Sequence, residues 1–128
     1  MKPNQNMPEE TTCDIGREGE DYAVRYLLAS GYRILCRNYR YRRAEIDVLA
    51  FREGVLVVIE VKTRTRAFYE ALSRSIPRSK IARLVRAADH YVRSNGLRAE
   101  VRFDIIQVIR LREGYRLVHL EDAFYFFQ

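Results

Sequence analysis

A chain of 128 residues with 48 % hydrophobic residues has the composition of an ordinary globular protein and enough core for one domain. No apolar stretch approaches transmembrane length, the N-terminal segment lacks the apolar core of a signal peptide, and Cys13 and Cys36 form no Cys-x-x-Cys pattern. Membrane insertion, secretion and a disulfide or zinc scaffold are therefore set aside, and a cytoplasmic protein with reduced thiols is expected. The formal charge of +6 is carried mostly by arginine, the only lysines being Lys2, Lys62 and Lys80, and guanidinium forks favour polyanions such as nucleic acid.

Residues 1–12 are polar and contain proline, which predicts a disordered tail ahead of a single domain over 13–128. Asp14 suits the N-cap of a helix that runs to about Ser30, with Gly31 as its stop. Glu20, Ala23, Val24 and Leu27 follow helical spacing, so a carboxylate begins an otherwise apolar stripe. Two readings of Glu20 stay open. It complements the positive helix N-terminus, together with Glu18, or it points inward toward the hairpin formed by residues 44–64.

Tyr32 to Arg37 alternates as a short strand. Asn38 to Arg43 interleaves Tyr39 and Tyr41 with Arg40, Arg42 and Arg43, a pattern able to pair with phosphates and stack on bases. The plainer reading is an exposed loop or strand edge whose charges discourage aggregation.

The stretch from Ala44 to Arg64 holds two apolar runs joined by Arg52-Glu53-Gly54, which reads as a β-hairpin. A two-residue turn at Glu53-Gly54 pairs Phe51 with Leu56 and Leu49 with Val58, and sets Asp47 opposite Glu60. Two like charges directly opposite, about 5 Å apart at Cβ, destabilise a sheet unless something lies between them. Lys62 shares their face by strand alternation. A surface ion pair of Glu60 and Lys62 is the plainer alternative, weakened by Leu49, Phe51, Leu56 and Val58 on the same face.

Thr63, Arg64, Thr65 and Arg66 add cation beyond Lys62. Ala67 to Ile76 has no clear period and reads as a mobile connection. Pro77 suits the first position of a second helix that runs to about Asn95 and stops at Gly96, with Ile81, Leu84, Val85, Ala88 and Val92 buried. Of its cations, Arg78 and Lys80 lie closest to the helix start and are the better phosphate candidates; Arg83 and Arg86 read as a solvated face. Val101 to Arg110 has the continuous apolar character of a strand buried on both faces, parallel to its neighbour across the helix. Tyr115 to Leu120 is the last strand, and residues 121–128 are expected to pack back on the domain. His90 and His119 have no partner motif and read as non-ligands.

There is no phosphate loop, dinucleotide-binding glycine pattern, nucleophile elbow or Cys/His cluster. The remaining chemistry is oxygen-rich. Asp47, Glu60 and Glu20 suit Mg²⁺ or Mn²⁺, which bind one or two carboxylates plus substrate phosphate. Lys62, compact beside so many arginines, is placed to orient or deprotonate an attacking water.

Asp47 followed by Glu60-Val61-Lys62 at the end of an apolar strand resembles the Asp…(Asp/Glu)-x-Lys core of the restriction-endonuclease-like PD-(D/E)xK nuclease superfamily. Gly16-x-x-Gly19-Glu20, Gly31-Tyr32-x-Ile34-Leu35, Asn38-Tyr39-Arg40, Glu45-Ile46-Asp47, Glu60-Val61-Lys62-Thr63-Arg64 and Arg102-Phe103-Asp104 together resemble the YraN-type bacterial family of endonuclease-like proteins. Archaeal Holliday junction resolvases are similar at a greater distance. The superfamily's proline is Ile46 here, and Ala44 stands where the YraN-type pattern often has glycine. The resemblance implies an α/β fold with a central mixed β-sheet flanked by helices in the order α-β-β-β-α-β. It implies Glu20, Asp47 and Glu60 as metal ligands and Lys62 as the catalytic lysine of a Mg²⁺-dependent endonuclease that hydrolyses phosphodiester bonds in DNA, with branched or damaged DNA as candidate substrates. The alternative is a non-catalytic nucleic-acid-binding module on the same fold. Arg40, Arg42, Arg43, Arg64, Arg66, Arg78 and Lys80 are the candidate backbone contacts in either case, and a homodimer would let a small nuclease reach two strands.

Overall fold

Apolar spacing and glycine stops set the two helices. The computed structural model describes residues 12–64 and 76–123, with side chains from Gly16 onward in the first segment. Helix α1 spans Thr12–Ala29, starting two residues ahead of Asp14. Its end is closed by Tyr32 N–H donating to Leu27 O at 2.9 Å, with Gly31 left-handed at φ 89°. Helix α2 spans Arg78–Ser94, and Pro77 occupies the N-cap, one residue earlier than its sequence preference suggests. The same device ends α2: Leu97 N–H donates to Val92 O at 3.0 Å and Gly96 is left-handed at φ 59°. No described helix is long and apolar enough to cross a membrane.

Five strands form one open sheet: β1 (Arg33–Tyr41), β2 (Ala44–Arg52), β3 (Val55–Arg64), β4 (Glu100–Leu111) and β5 (Gly114–Leu120), in the order β1-β2-β3-β4-β5. Neighbours are antiparallel except β3 and β4, which are parallel, as the intervening α2 requires. The sheet is therefore mixed, and β5 follows the expected α-β-β-β-α-β order at its far edge. Strand β1 runs through Asn38 to Tyr41, so the Arg/Tyr segment is an edge strand, with Arg42-Arg43 forming the turn to β2. Glu53 and Gly54 are both left-handed, at φ 51° and 79°, as a type I′ hairpin turn demands. The register follows as expected, with Phe51 opposite Leu56 and Leu49 opposite Val58.

Each face of the sheet has its own core. Ala23 and Leu27 of α1 pack with Val48, Ala50, Val57, Ile59, Ile106 and Val108. Leu84, Ala87 and Ala88 of α2 pack with Leu49, Leu56 and Val58. Ala44 and Ile46 also join the α2-side core, although strict alternation from Val48 would send them toward α1. The departure coincides with left-handed Asn38 (φ 54°) on the neighbouring strand and with the end of the β2–β3 ladder at the Val48–Ile59 pair. Strand β2 thus leaves β3 at Asp47, and the gap that opens holds the candidate site.

The expected tail over residues 1–12 lies outside the described residues except for Thr12, which opens α1; most of the connection over 67–76, Arg66, the terminal segment 124–128 and the side chain of Asp14 also lie outside them.

Candidate active site

Where the ladder ends, a side chain takes over from the backbone. Val61 N–H donates to Asp47 Oδ2 at 2.8 Å, which turns the Asp47 carboxyl toward β3. Asp47 is also hydrogen-bonded to Glu60, whose side chain is almost fully buried. Burial, the hydrogen bond to Glu60 and the charge of Glu60 push the Asp47 carboxyl up to about 8; the Val61 N–H opposes this and the charge of Glu20 adds to it. Burial beside a second carboxylate thus favours the protonated form of Asp47. The facing of Asp47 and Glu60 inferred from the turn is present in the structure.

Glu60 Oε2 is buried, and its partner there is the Lys80 ammonium of α2, which forms an ion pair with it. A buried carboxylate oxygen with only a cation beside it suits a cation site, since a point charge satisfies it without the directional geometry of a hydrogen bond. Asp47, Glu60 and Lys80 line a cavity of about 270 Å³, closed by Arg43 of the β1–β2 turn, Ala44 and Glu45 at the start of β2, and Arg83 and Leu84 of α2. Among the described residues, Arg43 and Arg83 form no ion pair with a carboxylate.

Glu20 is directed elsewhere. Its Oε1 accepts from Arg37 Nε at 2.9 Å and Asn38 Nδ2 at 3.2 Å, on β1. It thus meets β1 rather than the hairpin of β2 and β3, the partner its inward reading named, although its charge is felt at Asp47. No group of three His, Cys, Asp or Glu side chains is gathered as a metal cluster among the described residues. Gly19 explains how α1 comes so close. A Cβ built there would lie 2.1 Å from Thr63 Oγ1, so only glycine lets the helix cross β3 at this point. Lys62 lies two residues beyond Glu60, half-buried and in register with Gln107 of β4.

The expected phosphate contacts divide. Arg42, Arg43 and Lys80 line cavities at or beside the carboxylate pair. Arg78 is exposed at the start of α2. Arg40 is exposed and pairs with Glu45 at 3.6 Å, and Arg64 Nη1 donates to Thr63 O at 3.1 Å. The sequence reading passed over Arg83, although it lies one helical turn beyond Lys80, the spacing that puts two side chains on one face.

A second buried carboxylate lies on the α1 side. Asp104 accepts from Arg102 Nε and Nη2, both at 2.9 Å, from the Asp122 N–H at 2.9 Å, and pairs with His119 Nε2 at 2.7 Å. Tyr26 hydroxyl meets His119 Nδ1 at 2.7 Å, and Arg102 donates to the Tyr32 hydroxyl at 2.8 Å. Burial pushes the Asp104 carboxyl up, but the His119, Arg102 and Asp122 bonds outweigh it and hold Asp104 below the usual carboxylate range. Both Asp104 oxygens are partnered within the fold, so the Arg102-Phe103-Asp104 motif is a clamp that ties β4, β5 and α1 together.

Residues 19–108 match the family model described as "Uncharacterised protein family UPF0102". A UPF0102 protein of Flavobacterium psychrophilum is 44 % identical over 114 residues, covering 89 % of this chain and 96 % of the relative. One of Parabacteroides distasonis is 43 % identical over 112 residues, covering 88 % and 93 %. One of Persephonella marina is 38 % identical over 110 residues, covering 85 % and 91 %. The matched span runs from the Gly19 crossing through the carboxylate pair to the buried half of β4, and the chain belongs to the UPF0102 family.

Proposed function

We propose that this chain is a divalent-metal-dependent endonuclease of the restriction-endonuclease-like PD-(D/E)xK superfamily, hydrolysing phosphodiester bonds in DNA, with branched or damaged DNA as candidate substrates. The observation that carries the reading is the Asp47–Glu60 pair in a buried gap ringed by Lys80, Arg43 and Arg83. Binding alone does not call for two acids beneath cations. Two carboxylates beneath cations able to hold a phosphate suit Mg²⁺ or Mn²⁺, which take few protein oxygens and complete their shell with substrate and water.

Asp47 and Glu60 would hold the ion, Asp47 giving up its proton and Glu60 exchanging Lys80 for it. Glu20 would join them only by leaving Arg37 and Asn38. A bound ion supplies Lewis-acid polarisation of the phosphodiester and eases ionisation of water. Arg43 and Arg83 hold the phosphate beside the pair, and Lys80, released from Glu60, adds a third cation to it. Lys62 orients or deprotonates the attacking water.

One observation favours a second reading, a nucleic-acid-binding module without catalysis. Lys80 already neutralises Glu60, and Arg37 pairs with Glu20, so the acids are balanced within the fold. Cleavage of linear, supercoiled, flapped and four-way DNA with Mg²⁺ or Mn²⁺ separates the two. The nuclease reading expects cutting that stops in EDTA and in Asp47→Ala, Glu60→Ala and Lys62→Ala proteins that still fold. Unchanged cutting by Glu60→Ala, or salt-sensitive binding with no cutting of any substrate, would sink it.

A further inference from the structure

The carboxylate gap does not end at Arg83. Its cavity shares Arg43, Ala44 and Arg83 with a second of about 310 Å³, lined by Tyr41, Arg42, Arg43, Ala44, Arg83 and Arg86. That one shares Tyr41, Arg42 and Arg86 with a third of about 350 Å³, bounded by Asp89, His90 and Arg93. The three form one groove between the β1–β2 turn and α2. Lys80, Arg83, Arg86, His90 and Arg93 succeed one another along the helix at three- or four-residue steps, so they border the groove as a stripe. From Lys80 to His90 the helix rises about 15 Å. A stacked strand advances roughly 3.4 Å per nucleotide, so the groove spans roughly four nucleotides.

The far end of the groove differs in chemistry from the near end. The Tyr41 and His90 rings stack at 4.0 Å with planes 21° apart, and His90 is stacked in turn toward Tyr39, whose hydroxyl meets His90 Nδ1 at 2.7 Å. The exposed Arg42 guanidinium lies 5.3 Å from the Tyr41 ring centre. This is a short pile of flat groups, anchored on the α2-side core by Tyr39 and open at Arg42. Nearby, Arg86 is exposed and forms no ion pair among the described residues, whereas Arg93 is paired with Asp89 at 3.1 Å. A phosphate-binding cation beside an open stack is what an unpaired nucleotide needs. Its base stacks on the pile, and its backbone lies along the arginines. A base held inside a duplex cannot present its face in this way.

We propose that this groove binds a single-stranded nucleic-acid segment of about four nucleotides leading away from the Asp47–Glu60 pair, with one base stacked on the Tyr41–His90 platform in the place now covered by Arg42. The inference deepens the nuclease reading by naming the substrate class at the site: a strand with an unpaired arm next to the phosphate held by Arg43 and Arg83. The binding itself needs no catalysis.

The test is fluorescence anisotropy in EDTA at low salt, where nothing can be cut, with a labelled single-stranded 12-mer, its duplex, and a duplex carrying a four-nucleotide overhang. The single strand and the overhang should bind more tightly than the blunt duplex. Tyr41→Ala should weaken single-strand binding by roughly five- to a hundredfold, the effect of removing one stacking partner. Tyr41→Phe, which keeps the ring, should bind as the wild type does, and Arg86→Glu should weaken both forms. Arg25→Glu, on α1 at the other face of the sheet, should change neither. Because Tyr41 also contacts the core, 2-aminopurine placed along the single strand gives a readout on the unaltered protein: quenching at one position, absent in the duplex. DNA and RNA 12-mers compared side by side assign the sugar. Blunt duplex bound as tightly as single strand, or no position quenched, overturns the proposal. Single-strand binding without metal-dependent cleavage of any substrate keeps this inference and removes the nuclease reading.

Discussion

Gly19 offers a sharp test of how α1 is seated. In Gly19→Ala the new methyl carbon would sit 2.1 Å from Thr63 Oγ1, 2.9 Å from Thr63 Cγ2 and 3.0 Å from Thr63 Cβ. Thr63 is β-branched, and its χ1 has little room to turn away. Overpacking of this kind costs about 1–3 kcal/mol. Alanine in place of glycine within a helix returns about 1 kcal/mol. The expected net loss is about 0–2 kcal/mol, read as a midpoint shift in urea at unchanged slope. Trimming Thr63→Ala removes the two closest atoms and leaves the Cβ contact, which a shift of a few tenths of an ångström relieves. In that background Gly19→Ala should be neutral or stabilising, so the coupling energy equals the relieved overpacking, about 1–3 kcal/mol. Equal destabilisation in both backgrounds would refute the argument, because the glycine would then serve something other than this crossing.

Other measurements bear on the two carboxylate sites. The proton kept by Asp47 raises stability below about pH 4 and that stability is lost as pH rises toward 8, so metal-free protein should melt lower at pH 8 than at pH 5. Asp47→Asn, which can still accept from Val61 N–H and donate to Glu60, should flatten that profile in thermal melts; an unchanged slope counts against the shared proton. Lys80→Met leaves Glu60 without its counter-charge and should lower the melting temperature in EDTA, while added Mg²⁺ should raise it more than in the wild type. Equal Mg²⁺ responses would show that Lys80 and the ion do not share Glu60. Asp104 has the opposite sign: its stabilisation is present above about pH 4 and is lost as pH falls through its depressed value. Asp104→Ala, breaking a buried pair, should cost about 3–5 kcal/mol in urea unfolding at pH 7, and a loss below 1 kcal/mol would mean the clamp carries little.

The sequence spoke most clearly where chemistry is local. Glu53-Gly54 carries its own turn geometry, and from that two-residue loop the facing of Asp47 and Glu60 followed by counting. Gly31 and Gly96 marked both helix ends for the same reason, since a left-handed residue is needed there. Asn38 was harder to read. A left-handed asparagine inside a strand looks like the beginning of a loop, and the neighbouring arginines strengthened that impression. Yet Tyr39 and Tyr41 pack toward α2 and carry β1 onward. Partners far apart in the chain were not legible at all. Nothing near Glu20 signals Arg37, and nothing near Asp104 signals His119 or Asp122. Arg83 was legible in principle, but a cation on a helix face reads as solvated until the strand beneath it is known.

The parallel pairing of β3 with β4 also bears on the order in which the molecule assembles. Strands β1 to β3 form a meander whose contacts close over short loops, on a timescale of microseconds for each hairpin. Pairing β4 beside β3 must wait for the longer excursion through α2, and closing that loop is slower. Asp47 and Glu60 both belong to the early unit, whereas Lys80 and Arg83 arrive with the late one. The two acids therefore meet with Arg43 of the same meander at hand, whereas Lys80, the ion-pair partner of Glu60, joins them only when the crossover docks.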